Sequence, residues 1–305
     1  MRHLFLINPA AGKFDRTKQF TAQIQSVFSG RPDAWEIAVS ARPGDCEAAA
    51  RKACLAGEEV RLYACGGDGT LNEVVNGAAG FPNAAVTHFP GGSGNDFIKI
   101  FSDPPAFSDL RRLADGEEAL FDLIQAGEGR YALNVCSVGF DARIGTEIAR
   151  YKRLPLVTGR GAYVLSAAVN TVKGVHRPYT VTLDSGERFE GRQSLICILN
   201  GRWYGGSFHP VPEAEPDDGL LDVLLVRAVS RLTVARVIGK YRDGLYAGYP
   251  ELIAHRRCRS LRIRSLEPSA VNLDGELITA SDITFRTAED KIRFFYPKGL
   301  DWKRR

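Results

Sequence analysis

Apolar positions in the first third of the chain fall into two alternating patterns. Short continuous runs, HLFLIN (3–8), WEIAVS (35–40), VRLYAC (60–65) and AAVTHFP (84–90), predict strands. Between them the apolar residues keep the spacing of one helix face. FDRTKQFTAQIQSVF (14–28) places Phe20, Ile24, Val27 and Phe28 together, and GDCEAAARKACLAG (44–57) predicts a helix closed by Gly57. A third helix is predicted from about Thr70. Strands that are nearly all apolar, alternating with helices, predict a parallel sheet covered on both faces.

After about residue 120 the pattern changes. FDLIQAG, RYALNVCSVGF, YTVTLDSG, SLICILNG, LLDVLLVRA, SLRIRS and KIRFFYP read as strands separated by turn signals. Helical stretches interrupt them near 143–173 and 230–246. This predicts a second, β-rich domain built as a sandwich of sheets. The boundary falls near Leu120, giving an α/β domain over 1–122 and a β-rich domain over 123–290. KIRFFYP is free to return to the first domain, which residues 291–305 would then complete.

Composition changes this picture little. The chain has 305 residues, 44% hydrophobic and 25% charged, with a formal net charge of +4. That size supports a sizeable core, and so small a charge gives no reason to expect nucleic acid. No pair of the six cysteines has CxxC spacing, so reduced, buried thiols of a cytoplasmic protein are expected rather than zinc ligands. The apolar run at the N-terminus is too short for a signal peptide, and no run approaches the ~18 residues of a membrane span.

The chemistry gathers at glycine-rich turns that follow strands. CGGDGTLNEVVNG (65–77) lacks the lysine of a Walker A loop, and Asn72 stands where a dinucleotide fingerprint needs its third glycine. Its glycines would bring backbone amides close to a ligand, and the following helix would aim its positive end there. Asp68 would repel a bare phosphate but suits one bridged by magnesium. A plain tight turn capped by Asp68 is the competing reading. PGGSGNDF (90–97) and NPAAGK (8–13) are two more such turns at strand C-termini, the usual ligand edge of a parallel sheet. Two later segments stay ambiguous from their residues alone. Asp217-Asp218-Gly219 is either a β-turn or part of a magnesium site, and Asp274-Gly275-Glu276 is either a hairpin turn or the carrier of a general base.

NPAAGK, the GGDGT block, GGSGNDF, the glycine turn with PEAEPDDGLLD, and LDGE occur in that order from residue 8 to residue 276. This ordered set resembles the diacylglycerol kinase catalytic-domain superfamily, which includes the sphingosine kinases and bacterial lipid kinases. The resemblance implies a phosphofructokinase-like (NAD kinase-like) α/β domain that binds nucleotide and a C-terminal β-sandwich domain that binds a lipid substrate. It implies ATP contacts from Asn8, Pro9, Ala10, Ala11 and Gly12, from Ser40, from Gly66, Gly67, Asp68, Gly69, Thr70, Leu71 and Asn72, and from Ser93. Ser40 and Ser93 replace threonines common in the family, and both keep a hydroxyl. Magnesium (Mg2+) would be held by the Asp218 side chain with the carbonyls of Glu215 and Leu220. The general base would be Glu276 or Asp274, with Glu276 slightly favoured, while Asp68 organises the metal or the water around the phosphates.

The implied reaction is transfer of the ATP γ-phosphate to a hydroxyl of a membrane lipid such as diacylglycerol. The competing readings are a soluble-substrate kinase of the NAD kinase type and a catalytically silent nucleotide-binding regulator. Asp68→Ala is expected to nearly abolish transfer while the fold survives. For reaching a lipid, HRRCRSLRIRS (255–265) carries Arg256, Arg257, Arg259, Arg262 and Arg264, and ARYKRLPL (149–156) and DWKRR add further basic residues. These are either solvated charges or contacts to an anionic membrane surface, which would place the protein peripherally on the inner face of the membrane. Oligomeric state stays open, a homodimer included.

Overall fold

The structure, a computed structural model, describes residues 1–139 and 176–303. The predicted helical stretch 143–173 and the basic segment 149–156 lie outside the described residues.

The first layer is a six-stranded sheet of order β2-β1-β3-β4-β15-β5. Its first four strands are β1 (Arg2–Ile7), β2 (Ala34–Val39), β3 (Val60–Gly66) and β4 (Ala84–Pro90), all parallel. They are connected by α1 (Thr17–Phe28), α2 (Asp45–Leu55) and α3 (Asp68–Ala78). Parallel neighbours require such crossovers. The apolar periodicity of each helix closes onto one core, where Phe20, Ile24 and Phe28 of α1 meet Phe5 and Tyr63 of the sheet. Gly57 ends α2 at φ +80°, the left-handed conformation expected of its C-terminal cap.

KIRFFYP does return to this sheet. It forms β15 (Ile292–Tyr296), parallel to β4 and antiparallel to β5 (Glu117–Phe121). β5 has no counterpart in the sequence reading, because its exposed glutamates give it no apolar run.

The second layer is an antiparallel nine-stranded sheet. Two long strands organise it: β10 (Arg188–Leu199) and β13 (Ser260–Leu273). One half of each pairs with β9 (Arg177–Leu183) and the other half with β8 (Val135–Gly139). The change of partner coincides with register breaks at Gln193/Leu195 in β10 and Arg264/Ser269 in β13. Bulges bend strands at such points, so the sheet folds over itself as a sandwich around Val181, Ile196, Ile198, Leu261, Ile263 and Phe285. The remaining strands are β6 (Ile124–Ala126), β7 (Arg130–Ala132), β11 (Leu221–Arg227), β12 (Ile253–Cys258) and β14 (Glu276–Thr287). Two more α-helices are described, α4 (Leu110–Ala114) and α5 (Arg231–Arg242), with three short 3-10 helices beside them.

All six cysteines are free and buried. No helix among the described residues is long and apolar enough to cross a membrane.

Candidate active site

The two layers meet at the C-terminal ends of β1, β3 and β4. The turn after β3 and the turn after β4 lie back to back, with backbone against backbone. Gly91 and Gly92 both donate their N–H to the Gly66 carbonyl, at 2.6 and 3.1 Å. A side chain cannot enter this contact: a Cβ on Gly92 would lie 2.5 Å from Gly67 Cα. A Cβ on Gly12, in the turn after β1, would lie 2.6 Å from the Gly91 carbonyl oxygen. The glycines at these positions are therefore set by the close approach of three turns.

α3 begins at Asp68, two residues before the predicted start, with Gly67 as its N-cap. No side chain caps this end, and Gly69 is exposed to open space, so the first-turn amides and the positive end of the helix dipole face outward. Asn8 ties the β1 turn to this helix. Its Nδ2 donates to Thr70 Oγ1 at 3.1 Å and its Oδ1 accepts from Ala10 N at 3.0 Å. Pro9 and Ala11 flank the same turn half-buried, and Ala10 is exposed. Leu71 is buried under the helix. Ser40 sits beside the turn through its N–H to the Ile7 carbonyl at 2.9 Å, and Ser93 is exposed at the tip of the β4 turn.

The Asp68 carboxylate accepts Asn95 N–H at 2.9 Å and Asp96 N–H at 2.5 Å, so it holds the β4 turn against α3. Buried Asp96, which the sequence reading quoted without a role, extends the contact to the second layer. It accepts Gly206 N–H at 2.8 Å, and Lys99 Nζ bridges Asp96 (2.5 Å) to the Gly206 carbonyl (2.8 Å). Burial and the nearby charge of Asp68 both raise the Asp96 pKa above the usual carboxylate range. Beneath the turn, buried His88 bonds the Gly66 carbonyl through Nε2 at 2.9 Å, and burial lowers its pKa.

Asn72 explains why the dinucleotide fingerprint fails. Its side chain reaches across the interface and donates to the Leu273 carbonyl at 3.3 Å. Asn76, one turn on, bonds the Tyr131 carbonyl at 2.8 Å and accepts from Tyr131 N at 2.9 Å. α3 thus carries the hairpin of β13 and β14 up to its own N-terminus.

That hairpin is LDGE. Leu273 pairs with Glu276, and Asp274 (φ +50°) and Gly275 (φ +97°) form the two-residue loop. Two consecutive positive φ values are the mark of a tight hairpin turn, which accounts for the Asp-Gly pair. The Asp274 side chain turns inward onto the start of β8, accepting N–H groups of Leu133 (2.7 Å), Asn134 (2.9 Å) and Val135 (2.7 Å). Burial, opposed by these three donors and reinforced by Asp68, pushes its pKa up to about 7. Glu276 is placed differently. Arg130 ion-pairs with it and, on the other side, with Glu47 of α2 at 2.9 Å. The two candidates for the base thus differ in their surroundings: Asp274 turns inward onto backbone N–H groups, and Glu276 is paired with Arg130.

The segment assigned to magnesium is occupied by protein cations. Asp218 Oδ2 pairs with Arg257 and its Oδ1 accepts Leu220 N–H at 2.9 Å. The Glu215 carboxylate pairs with Arg202 at 3.2 Å. Lys291 binds the Asp217 carbonyl at 2.8 Å and buried Asp122 at 2.9 Å. Among the described residues no group of three or more metal-ligating side chains forms. At the turns, the charge of Asp68 raises the pKa of both Asp96 and Asp274, and Lys99 is ion-paired with Asp96.

The basic strand is also largely neutralised. Leu261 and Ile263 are buried while Arg262 and Arg264 point outward, as the alternation predicted. Both arginines, however, pair with Asp282, Arg256 pairs with Glu187, and Arg257 with Asp218.

Comparison with known proteins agrees with this architecture. Residues 2–126 match the diacylglycerol kinase catalytic domain, and residues 134–295 match the YegS C-terminal NAD kinase beta sandwich-like domain. A Pseudomonas syringae pv. syringae (strain B728a) protein named "Probable lipid kinase YegS-like" is 28% identical over 281 residues, covering 89% of this chain and 88% of its own. A protein of the same name from Pseudomonas aeruginosa PAO1 is 29% identical over 266 residues, covering 86% and 85%. Among solved structures, a diacylglycerol kinase from Bacillus anthracis str. Sterne superposes with a TM-score of 0.68 at 21% identity over 97% of both chains. An ATP complex of an NAD kinase from Archaeoglobus fulgidus gives 0.53 at 14% identity, over 98% of this chain and 94% of that one. At these identities the structural matches speak for the fold, and the two domain matches, which together cover most of the chain, carry the assignment: the chain belongs to the YegS-like lipid kinases of the diacylglycerol kinase catalytic-domain superfamily.

Proposed function

We propose that this kinase transfers the γ-phosphate of ATP to the hydroxyl of a glycerol-based lipid such as diacylglycerol, with Asp274 as the proton acceptor. The observation that carries this is the meeting of an inward-turned carboxylate with a raised pKa and the uncapped N-terminus of α3, joined by the Asn72–Leu273 hydrogen bond. The α3 amides and the glycine turns hold phosphate oxygens, because close backbone approach and the helix dipole both favour an anion there. Asp68 keeps the two turns in register. A magnesium ion brought with the nucleotide would be held by Asp68 and Asp96 and would neutralise the charge on the phosphates.

Asp274 spends three of its roughly four acceptor sites on backbone N–H groups and keeps one on Oδ1 for the hydroxyl proton. With a pKa near 7 that proton transfer is matched to neutral pH. The acceptor hydroxyl loses its proton to Asp274 as its oxygen bonds the γ-phosphorus, and ADP leaves. The test is a labelled-ATP assay over a panel of diacylglycerol, phosphatidylglycerol, a sphingoid base and NAD, with and without magnesium. Phosphorylation of a lipid and not of NAD is expected. Turnover of NAD alone, or of none of the panel, overturns the proposal.

A further inference from the structure

Among the described residues, α5 is attached by one face and open on the others. Ser230 caps it, accepting Thr233 N–H at 3.1 Å. Val237 and Tyr241 rest on an apolar cluster with Tyr204 and Phe208, and the Tyr204 hydroxyl donates to that of Tyr241 at 3.2 Å. Of the helix's described side chains, Tyr241 alone is buried.

The outward side is not polar. Leu232 is 61% exposed, Ile238 42% and, just past the helix, Leu245 51%; these are three of the nine large apolar side chains exposed among the described residues. Exposed Ala235 lies three residues from both Leu232 and Ile238, so the stripe is continuous along the helix. Arg236 and Lys240, one turn apart, are exposed beside it, and neither is ion-paired among the described residues. Residues 227–245 contain five basic side chains and one acidic one, a local excess equal to the formal +4 of the whole chain. The arginine-rich strand pair, by contrast, has four of its five arginines satisfied by carboxylates.

An exposed apolar stripe flanked by unpaired cations matches the chemistry of a helix lying in the plane of an anionic bilayer surface. Its position suits a lipid acceptor. The Arg242 carbonyl accepts His209 N–H at 2.7 Å, and Gly206, in the same turn, donates to Asp96 of the candidate site. We infer that the outward face of α5 docks the protein on an anionic lipid surface. The inference rests on the lipid kinase reading for its choice of partner.

Flotation of the full chain with phosphatidylglycerol-containing vesicles and with pure phosphatidylcholine vesicles tests it. Wild type is expected to float with the anionic vesicles only and to release at high salt. Arg236→Gln with Lys240→Gln should lower vesicle affinity roughly 30-fold. Leu232→Ser with Ile238→Ser should lower it as well. Because all four side chains face water, melting temperatures should not change, nor should turnover of a short-chain, water-soluble diacylglycerol. Absence of turnover on every lipid would defeat the activity while leaving the flotation result to stand or fall separately. Variants that float like wild type overturn the inference. So does equal flotation with neutral vesicles, and so does loss of flotation in Arg262→Gln/Arg264→Gln but not in the α5 variants. Binding to neither vesicle also overturns it.

Discussion

If Asp274 is the proton acceptor, its environment fixes the pH dependence of the reaction. With a pKa near 7 the carboxyl is ionised in roughly one molecule in ten at pH 6 and nine in ten at pH 8. kcat/KM should therefore rise about tenfold across that interval and level off above it. Asp274→Asn keeps the shape of the side chain but not its acceptors. The amide oxygen can serve Leu133 and Asn134, but the NH2 group then faces Val135 N–H, donor against donor. The substitution should cost about 1–3 kcal/mol of stability, lower kcat by 10²–10⁴-fold and abolish the tenfold rise with pH. Glu276→Gln releases one arm of Arg130, whose pair with Glu47 remains; it should cost under about 1 kcal/mol for a pair this exposed and leave the pH profile in place. Steady-state rates from pH 5.5 to 9 with urea melts of each variant make the measurement. The assignment is refuted if Glu276→Gln loses the activity and Asp274→Asn keeps both rate and profile.

Asp68→Ala should nearly abolish transfer while the fold survives at lower stability: Asn95 and Asp96 N–H lose their acceptor, at about 2 kcal/mol in all, and the thermal midpoint should drop by roughly 3 °C. An unchanged midpoint contradicts the structural role. Gly92→Ala drives a methyl into Gly67 Cα and should cost about 1–3 kcal/mol while weakening ATP binding in calorimetry; wild-type melting and affinity together would refute the back-to-back contact. Burial lowers the His3 pKa to about 4, so the native state refuses a proton that the unfolded chain accepts below about 6.5. Its stability contribution is complete above pH 6.5 and lost as pH falls toward 4, on the order of 2–3 kcal/mol. Urea midpoints should fall between pH 7 and 5 and fall less in His3→Gln; equal slopes refute it.

The elements of the first layer were legible because each strand is a nearly continuous apolar run closed by Gly, Pro or Asn, all local signals. The start of α3 was misplaced because Gly67, Asp68 and Gly69 are poor helix formers, although an acidic residue suits the first turn. The glycine turns could be read as a ligand edge, but not the reason for each glycine, since that depends on turns 25 residues or more apart touching. Asp96 and Lys99 could not be assigned, because their partner is Gly206, more than 100 residues away. The cations on the PEAEPDDG loop, Arg257 and Lys291, come from distant parts of the chain, so its residues alone left it open between a β-turn and part of a magnesium site. β14 gave no strand signal because its exposed face interrupts the apolar alternation.

The return of β15 has a consequence for how the chain can be cut and how it folds. Its Phe294 and Phe295 pack against Phe97 and Tyr63, and the Phe295 carbonyl receives the Thr87 hydroxyl at 2.6 Å across 208 positions of sequence. A fragment spanning only the first 126 residues would keep the three glycine turns that follow β1, β3 and β4 yet leave β4 with a bare edge and β5 with no neighbour. Such an edge invites pairing with other chains. The six-stranded sheet closes only after the sandwich has been inserted between its fifth strand along the chain, β5, and its last, β15, so contacts of very long sequence separation must form before that sheet is complete. Refolding should accordingly be slow for the chain's size, and the two halves should melt as one unit rather than as separable modules.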